Sequence, residues 1–281
     1  MRVLVTGANG QLGRALRHEL EGAEVDWVDL PELDISCASE VDAWFLSHGP
    51  YDVVFNCAAF TNVDGCESDF ATAFKANALG PMNLARACAA CDATLVHVST
   101  DYVFPGNEAG ARTEEDVPAP ISAYGRSKLA GEGLALAANA RTHVVRTAWL
   151  YGDGRNFVRT MLSLADSHDE VTVVDDQLGN PTSAADLAHE LVRISRCDEF
   201  GIWHCTNEGT CSWADFTEAI FELAGKDCRV RRCSSADWKR DHPASADRPA
   251  FSSLENAKLK ATIGNHMRPW RDALAEYLDR A

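Results

Sequence analysis

The sequence has 281 residues, 46% hydrophobic and 24% charged, with a formal net charge of -16. That length supports a substantial core without disulfides, and the carboxylate excess disfavours a nucleic-acid footprint, because phosphate binding needs clustered Lys and Arg. No run is apolar enough to span a membrane, so neither nucleic acid nor membrane is an expected partner, and the acidic runs at 114–116, 166–170 and 175–176 read as solvated surface.

The chain opens on "RVLVT", a β-branched run rather than a basic leader with a longer apolar core, which predicts no secretion signal. The ten Cys then read as reduced thiols of a cytoplasmic protein. Cys88 and Cys91 are spaced C-x-x-C but fall in the Ala-rich helical stretch "LARACAACDA" without a second pair at ligand spacing, which favours helix packing over zinc. After "RVLVT" comes the helical "GQLGRALRHEL". "AEVDWVDL" is followed by "ASEVDAWFLSHG", "YDVVFNCA" by "DFATAFKANALGPMNLARACAA", and "ATLVHVST" by "AYGRSKLAGEGLALAANA", before "THVVRTAWLY". Strands this apolar do not face water, so the alternation predicts an α/β fold with a doubly wound parallel sheet covered on both faces.

From about residue 149 the order loosens. "VTVVDDQLGNPT" leads to a helix "SAADLAHELVRIS", a strand "GIWHCTN", a helix "SWADFTEAIFELAG", an irregular stretch over 229–249 and a last helix "WRDALAEYLDR". The expected division is a dinucleotide-binding domain over 1–148, with 171–195 returning to it. A smaller C-terminal substrate-binding lobe, 149–170 and 196–281, would sit over the carboxyl edge of the sheet, where open α/β sheets take ligands.

"TGANGQLG" follows the first strand directly, spacing Gly7, Gly10 and Gly13 as G-x-x-G-x-x-G before a helix. Between a strand and a helix these glycines permit a tight turn, close approach of a pyrophosphate and close helix–strand packing, with free helix N–H groups facing the phosphates. This is a Rossmann-type dinucleotide loop. Asp29 ends the second strand, where a carboxylate accepts from the adenosine 2′-hydroxyl and repels a 2′-phosphate; that tilts the cofactor towards NADH over NADPH. In "NCAAFTNVD" the small Ala58 and Ala59 leave room for a cofactor near the backbone.

Tyr124 and Lys128 stand four apart on a helix and share one face. A nearby ammonium favours the phenolate, which fits the ring for proton transfer near neutrality. Ser99 and Thr100, at the end of the fourth strand, add a hydroxyl able to orient a substrate oxygen. With a dinucleotide loop upstream, these parts describe hydride transfer to or from a carbonyl.

In order, "TGANGQLG", "NCAAFTNVD", "KANALG", "STDYVFPG" and "YGRSKLAGE" resemble the extended short-chain dehydrogenase/reductase family. "RTAWLYG", "GRNFVRTML", "DDQLGNPT" and "DRPAFSSL" are similar to its dTDP-4-dehydrorhamnose reductase branch. The resemblance implies an NAD(P)H-dependent oxidoreductase acting on a dTDP-linked 4-keto-6-deoxyhexose. It implies Thr100, Tyr124 and Lys128 as the catalytic set, with Asn77 supporting the helix. Gly7, Gly10, Gln11 and Leu12 would hold the pyrophosphate, Asp29, Asp34 and Ile35 the adenosine end, and Ala59, Phe60 and Thr61, with Tyr124 and Lys128, the inner cofactor. Thr100, Asp101 and Trp149 would touch the sugar, and Arg248 the diphosphate, for which a guanidinium fork is suited.

The related nucleotide-sugar dehydratases carry Thr-Asp-Glu where this chain has Thr100-Asp101-Tyr102, and without that Glu reduction is favoured over dehydration. Some members of the family bind magnesium at a dimer contact through acidic side chains; the corresponding helix here has Ala185 and His189, so no metal is expected and a homodimer is left open. Val98 replaces an aromatic found near the cofactor in some relatives. Two other readings remain: another sugar-nucleotide epimerase or ketoreductase of the same superfamily, and a non-enzymatic dinucleotide-binding regulatory subunit.

Overall fold

The computed structural model describes residues 1–280. Its strands are β1 (Arg2–Thr6), β2 (Glu24–Val28), β3 (Val53–Asn56), β4 (Thr94–Thr100), β5 (Thr142–Thr147), β6 (Leu150–Tyr151), β7 (Glu170–Val174), β8 (Leu178–Gly179), β9 (Thr182–Ser183), β10 (Gly201–His204), β11 (Cys211–Ser212) and β12 (Arg229–Cys233). The helices are α1 (Gln11–Glu19), α2 (Ala38–His48), α3 (Val63–Ser68), α4 (Phe70–Phe74), α5 (Gly80–Ala90), α6 (Ala123–Ala138), α7 (Phe157–Ala165), α8 (Ala184–Ile194), α9 (Trp213–Leu223), α10 (Ser235–Asp241), α11 (Ala257–Ala261) and α12 (Trp270–Asp279). A π-turn over Lys75–Leu79 joins α4 to α5, and a 3-10 turn over Asp101–Val103 follows β4.

Six strands form one parallel sheet in the order β10-β5-β4-β3-β1-β2. Every residue of β3 and β5 is buried, as strands inside a sheet covered on both faces are. On one face α1 and α8 close a core around Leu12, Leu16, Leu187, Leu191 and Trp203; on the other, Val41, Leu84, Cys88 and Ala135 pack under α2, α5 and α6. From β1 the chain goes first to β2 and then, through α2, to β3 on the opposite side. That switch point opens a crevice at the strands' carboxyl ends. A third core around Tyr151, Phe216, Ile220 and Leu274 belongs to the lobe above. Among the described residues, no helix is long and apolar enough to cross a membrane.

The division expected from sequence needs three corrections. α8 does pack on the sheet domain, but β7 does not return there; it pairs in parallel with β12 inside the lobe. β10, assigned to the lobe, is the sixth strand of the main sheet, in register with β5 from Gly201↔His143 to His204↔Arg146. The stretch 229–249 is not wholly irregular. β12 shows no apolar pattern because its arginines face solvent, where Arg232 pairs with Asp175 at 2.7 Å and with Asp215 at 2.8 Å. α10 begins at Ser234, whose side chain caps Asp237 N–H. Cys91, at the end of α5, directs its thiol to the Ala87 and Cys88 carbonyls of its own helix.

Candidate active site

The glycine loop turns at Gly7, whose φ of +68° places it in the left-handed region, and a Cβ there would stand 2.6 Å from Ala58 N. The chain can therefore pass directly beneath the β3 exit before α1 starts at Gln11. Asp29 braces the same loop: its Oδ2 accepts Asn9 N–H at 3.0 Å and its Oδ1 accepts Leu30 N–H at 2.9 Å.

A cleft of about 930 Å³ runs from this loop across the carboxyl edge of the sheet. Gly7, Gly10, Gln11, Leu12, Asp29, Asp34, Ile35, Ala59, Phe60 and Thr61 all line it, as do Thr100, Asp101, Tyr124, Lys128 and Trp149. Arg248 is the one expected site residue outside the lining. Its guanidinium lies 3.5 Å from Asp64 and beside the Tyr102 hydroxyl, so the acceptor it has is a carboxylate of α3.

The catalytic candidates come together through α6 and β4. Ser122 caps α6 by accepting Gly125 N–H, and the helix then carries Tyr124 and Lys128 one turn apart. Asn77, in the π-turn, accepts Phe60 N–H at 2.8 Å and donates to Phe60 O and Ser127 Oγ, each at 3.0 Å. Ser127 Oγ in turn donates to Tyr124 O at 2.7 Å, so one amide fixes the cofactor-side loop against the tyrosine's helix. Thr100 Oγ1 donates to Asp101 Oδ1 at 2.9 Å and faces the Tyr124 phenol across the cleft lining. Tyr102, in the third position of the Thr-Asp-Tyr triplet, packs edge-on against Tyr124 with ring centroids 5.7 Å apart.

Charge states at the site depart from the sequence reading in one respect. Tyr124 is not made more acidic; desolvation, reinforced by the Asp101 carboxylate, holds its phenol above the ordinary value against the opposing influence of the Thr100 hydroxyl. Lys128 Nζ points instead to Val98 O at 2.6 Å, and burial brings its ammonium down to about 8 against the opposing pull of Glu132. Burial likewise lifts Asp101 to about 6.

Sequence reasoning missed several participants. Trp149 has a φ of +46° and stacks on Trp213 at 3.6 Å, and no motif signalled that support. Glu132 and Arg146 join Ser99, already read from the strand end, in a buried hydrogen-bonded cluster next to Lys128; the i, i+4, i+8 spacing of Tyr124, Lys128 and Glu132 was the available signal. Thr147, the β5 residue paired with Thr100, also lines the cleft.

Unmet polar atoms leave the cleft ready for polar ligands, Gln11 at the glycine loop for a dinucleotide and Asp101 and Thr147 at the β4 and β5 exits. Gln11 Oε1, Asp101 Oδ2 and Thr147 Oγ1 are buried without a partner, and all three residues line the cleft. Buried polar groups are almost always paired, so such a group in a crevice marks a place for a polar ligand. His189 stands elsewhere: its Nδ1 is 3.0 Å from Glu19, and it gathers with Glu190 and His266 within 4.8 Å. Arg193 already donates to both Glu190 oxygens, and none of the three lines the cleft.

Comparison with known proteins agrees with this geometry. The family model described as the RmlD substrate binding domain matches residues 1–281. A dTDP-4-dehydrorhamnose reductase of Mycobacterium tuberculosis is 44% identical over 287 residues, covering 99% of this chain and 92% of that protein. The crystal structure of a dTDP-4-dehydrorhamnose reductase from Clostridium acetobutylicum superposes with a TM-score of 0.96 at 46% identity, covering 100% of this chain and 99% of that one. Another from Bacillus anthracis, in complex with NADP, gives a TM-score of 0.95 at 36% identity, with coverage of 100% and 99%. With fold, cleft and motif order in agreement, the chain belongs to the dTDP-4-dehydrorhamnose reductase family.

Proposed function

We propose that this chain reduces the C4 ketone of a dTDP-linked 4-keto-6-deoxyhexose, dTDP-4-dehydro-6-deoxy-L-mannose, to dTDP-L-rhamnose with NAD(P)H. The observation that carries the reading is the meeting of Thr100, Tyr124 and Lys128 at one end of a dinucleotide cleft, with Tyr102 in the place of a dehydratase glutamate. Bound in the cleft, NAD(P)H supplies the hydride that converts the ketone to an alkoxide.

The protein's part is to hold the ketone oxygen and give it a proton. Desolvation keeps Tyr124 protonated, the form a donor to an alkoxide needs. Thr100, which lines the cleft beside Tyr124, orients the same oxygen, and Lys128, cationic below about 8, stabilises the phenolate left behind. Asp101 Oδ2 is a free acceptor for a sugar hydroxyl, and Trp149 gives the sugar an apolar wall from the lobe side. The adenosine end supports NADH over NADPH, since the lining residues from Val28 to Ser36 include Asp29 and Asp34 and neither Lys nor Arg. All ten cysteines are free thiols, which supports a reducing, cytoplasmic setting.

The test follows NADH and NADPH oxidation with dTDP-4-dehydro-6-deoxy sugars and determines the C4 configuration of the product. Tyr124→Phe should bind cofactor normally and lose about 10²–10⁴-fold in turnover. Full turnover in that variant, or product formed without stoichiometric cofactor oxidation, as an epimerase would give, overturns the reading.

A further inference from the structure

We propose that Glu132, which touches no reacting atom, is a positioning residue for the reduction: it fixes the register of α6 on β4 and keeps a negative charge one helical turn from Lys128. The inference rests on the catalytic reading given above. Tyr124, Lys128 and Glu132 lie at i, i+4 and i+8 of α6, so they form a single row along the helix. The row meets three consecutive residues of β4. Tyr124 lies beside Thr100, Lys128 Nζ donates to Val98 O at 2.6 Å, and Glu132 Oε1 accepts from Ser99 Oγ at 2.5 Å.

Glu132 is 2% exposed and needs a counter-charge, which Arg146 on β5 provides. The pair is bidentate, Arg146 Nε to Oε1 at 2.9 Å and its terminal nitrogen to Oε2 at 2.7 Å, and the guanidinium is itself pinned over the Phe104 ring at 5.1 Å. Two neighbouring strands thus hold this carboxylate, and with it the far end of the catalytic row. The groups facing Lys128 are few: Tyr124 and Glu132 on its own helix, the Cys57 thiol after β3 and the His97 imidazole on β4, with Asp101 beyond Thr100. Burial keeps the Cys57 thiol protonated and the His97 ring neutral, so Glu132 is the nearby anion that opposes deprotonation of the lysine.

The experiment compares wild type, Glu132→Gln and Glu132→Asp by the pH profile of kcat with the 4-ketosugar, and by NMR titration of the Lys128 side chain in the cofactor-free protein. In Glu132→Gln the alkaline limb of the profile and the Lys128 titration should both move about one pH unit lower, with kcat down roughly tenfold. Glu132→Asp retains the charge with a shorter reach; its limb should stay at the wild-type position while kcat falls. A loss of activity uniform across pH, with an unmoved limb and lysine titration, overturns the inference and leaves Glu132 a structural ion-pair partner only. Should Glu132→Gln not fold, Ser99→Ala keeps the ion pair and removes one contact of the row; wild-type kcat in that variant overturns the register claim. A wild-type protein that reduces no such sugar contradicts the catalytic reading instead, and the NMR titration still decides the electrostatic claim.

Discussion

Two glycines on α6 make a sharp test of how the catalytic helix is seated. A Cβ at Gly131 would meet Asn77's carbonyl oxygen roughly 1 Å inside the closest tolerable contact, with Ala78 Cα at 3.4 Å. Neither partner has slack. The Asn77 side chain is tied to Phe60 and Ser127, and α6 is tied to β4 through Lys128 and Glu132. Gly131→Ala therefore has to push the helix off the π-turn. Overpacking of this kind costs about 1–3 kcal/mol, and in a chain of this size each kcal/mol lowers Tm by about 2–4 °C. A displacement near 1 Å at Tyr124 costs about 10²-fold in rate. Gly133, two residues on, is the control: it is exposed, nothing lies within 4 Å of its would-be Cβ, and alanine in a helix interior is favoured by about 1 kcal/mol. Calorimetry and single-turnover kinetics on both variants should show Gly131→Ala less stable and much slower, and Gly133→Ala more stable at wild-type speed. Wild-type Tm and rate for Gly131→Ala, or equal damage from both, would refute the close-seating account.

Trp213→Ala removes the ring stacked at 3.6 Å on Trp149, a bulky residue whose φ of +46° otherwise costs about 1–3 kcal/mol. KM for the sugar nucleotide should rise about tenfold while the cofactor Kd stays fixed, since the loss is apolar contact on the lobe side alone; parallel changes in both constants would contradict this. His143 governs an acid limb of stability. Its Nδ1 accepts Trp203 Nε1–H at 3.0 Å, and burial depresses its protonation to about 4. Between pH 6.5 and 4 the unfolded chain takes up a proton that the native ring refuses, so stability is full above pH 6.5 and falls by about 1 kcal/mol per pH unit below it. Urea melts across that range should be flatter for His143→Gln, and an unchanged slope would count against the assignment.

The central sheet was legible because its information is local. β1, β3 and β4 carry apolar runs, β5 is rich in β-branched residues, and the glycine loop sits between a strand and a helix, so each could be read within a dozen residues. The pairing partners of β7 and β10 were not, because each lies far away in sequence: β12, the partner of β7, has an exposed, charged pattern, and β10, which returns to β5, is only four residues long. At the site, the spacing of Tyr124 and Lys128 located both residues but misjudged their electrostatics. Proximity was read as making the phenol more acidic, whereas desolvation and Asp101 push it the other way. Arg248 was placed by its chemistry as a phosphate ligand; the presence of Asp64 within 3.5 Å is a tertiary fact that spacing does not encode.

The position of β10 at the outer edge of the sheet has a consequence for how the molecule assembles. The chain leaves the sheet at the end of β5, builds β6, α7, β7, β8 and β9 in the lobe, comes back with α8 and β10, and returns to the lobe for β11, α9, β12 and α12. Until Gly201–His204 is available, the backbone of β5 is a bare edge able to pair with any other extended chain. The lobe is thus interleaved with the sheet rather than appended to it. A cut near residue 200 would not release a working cofactor-binding half; it would leave an unfinished sheet with an adhesive side, and the two walls of the cleft can only be made together.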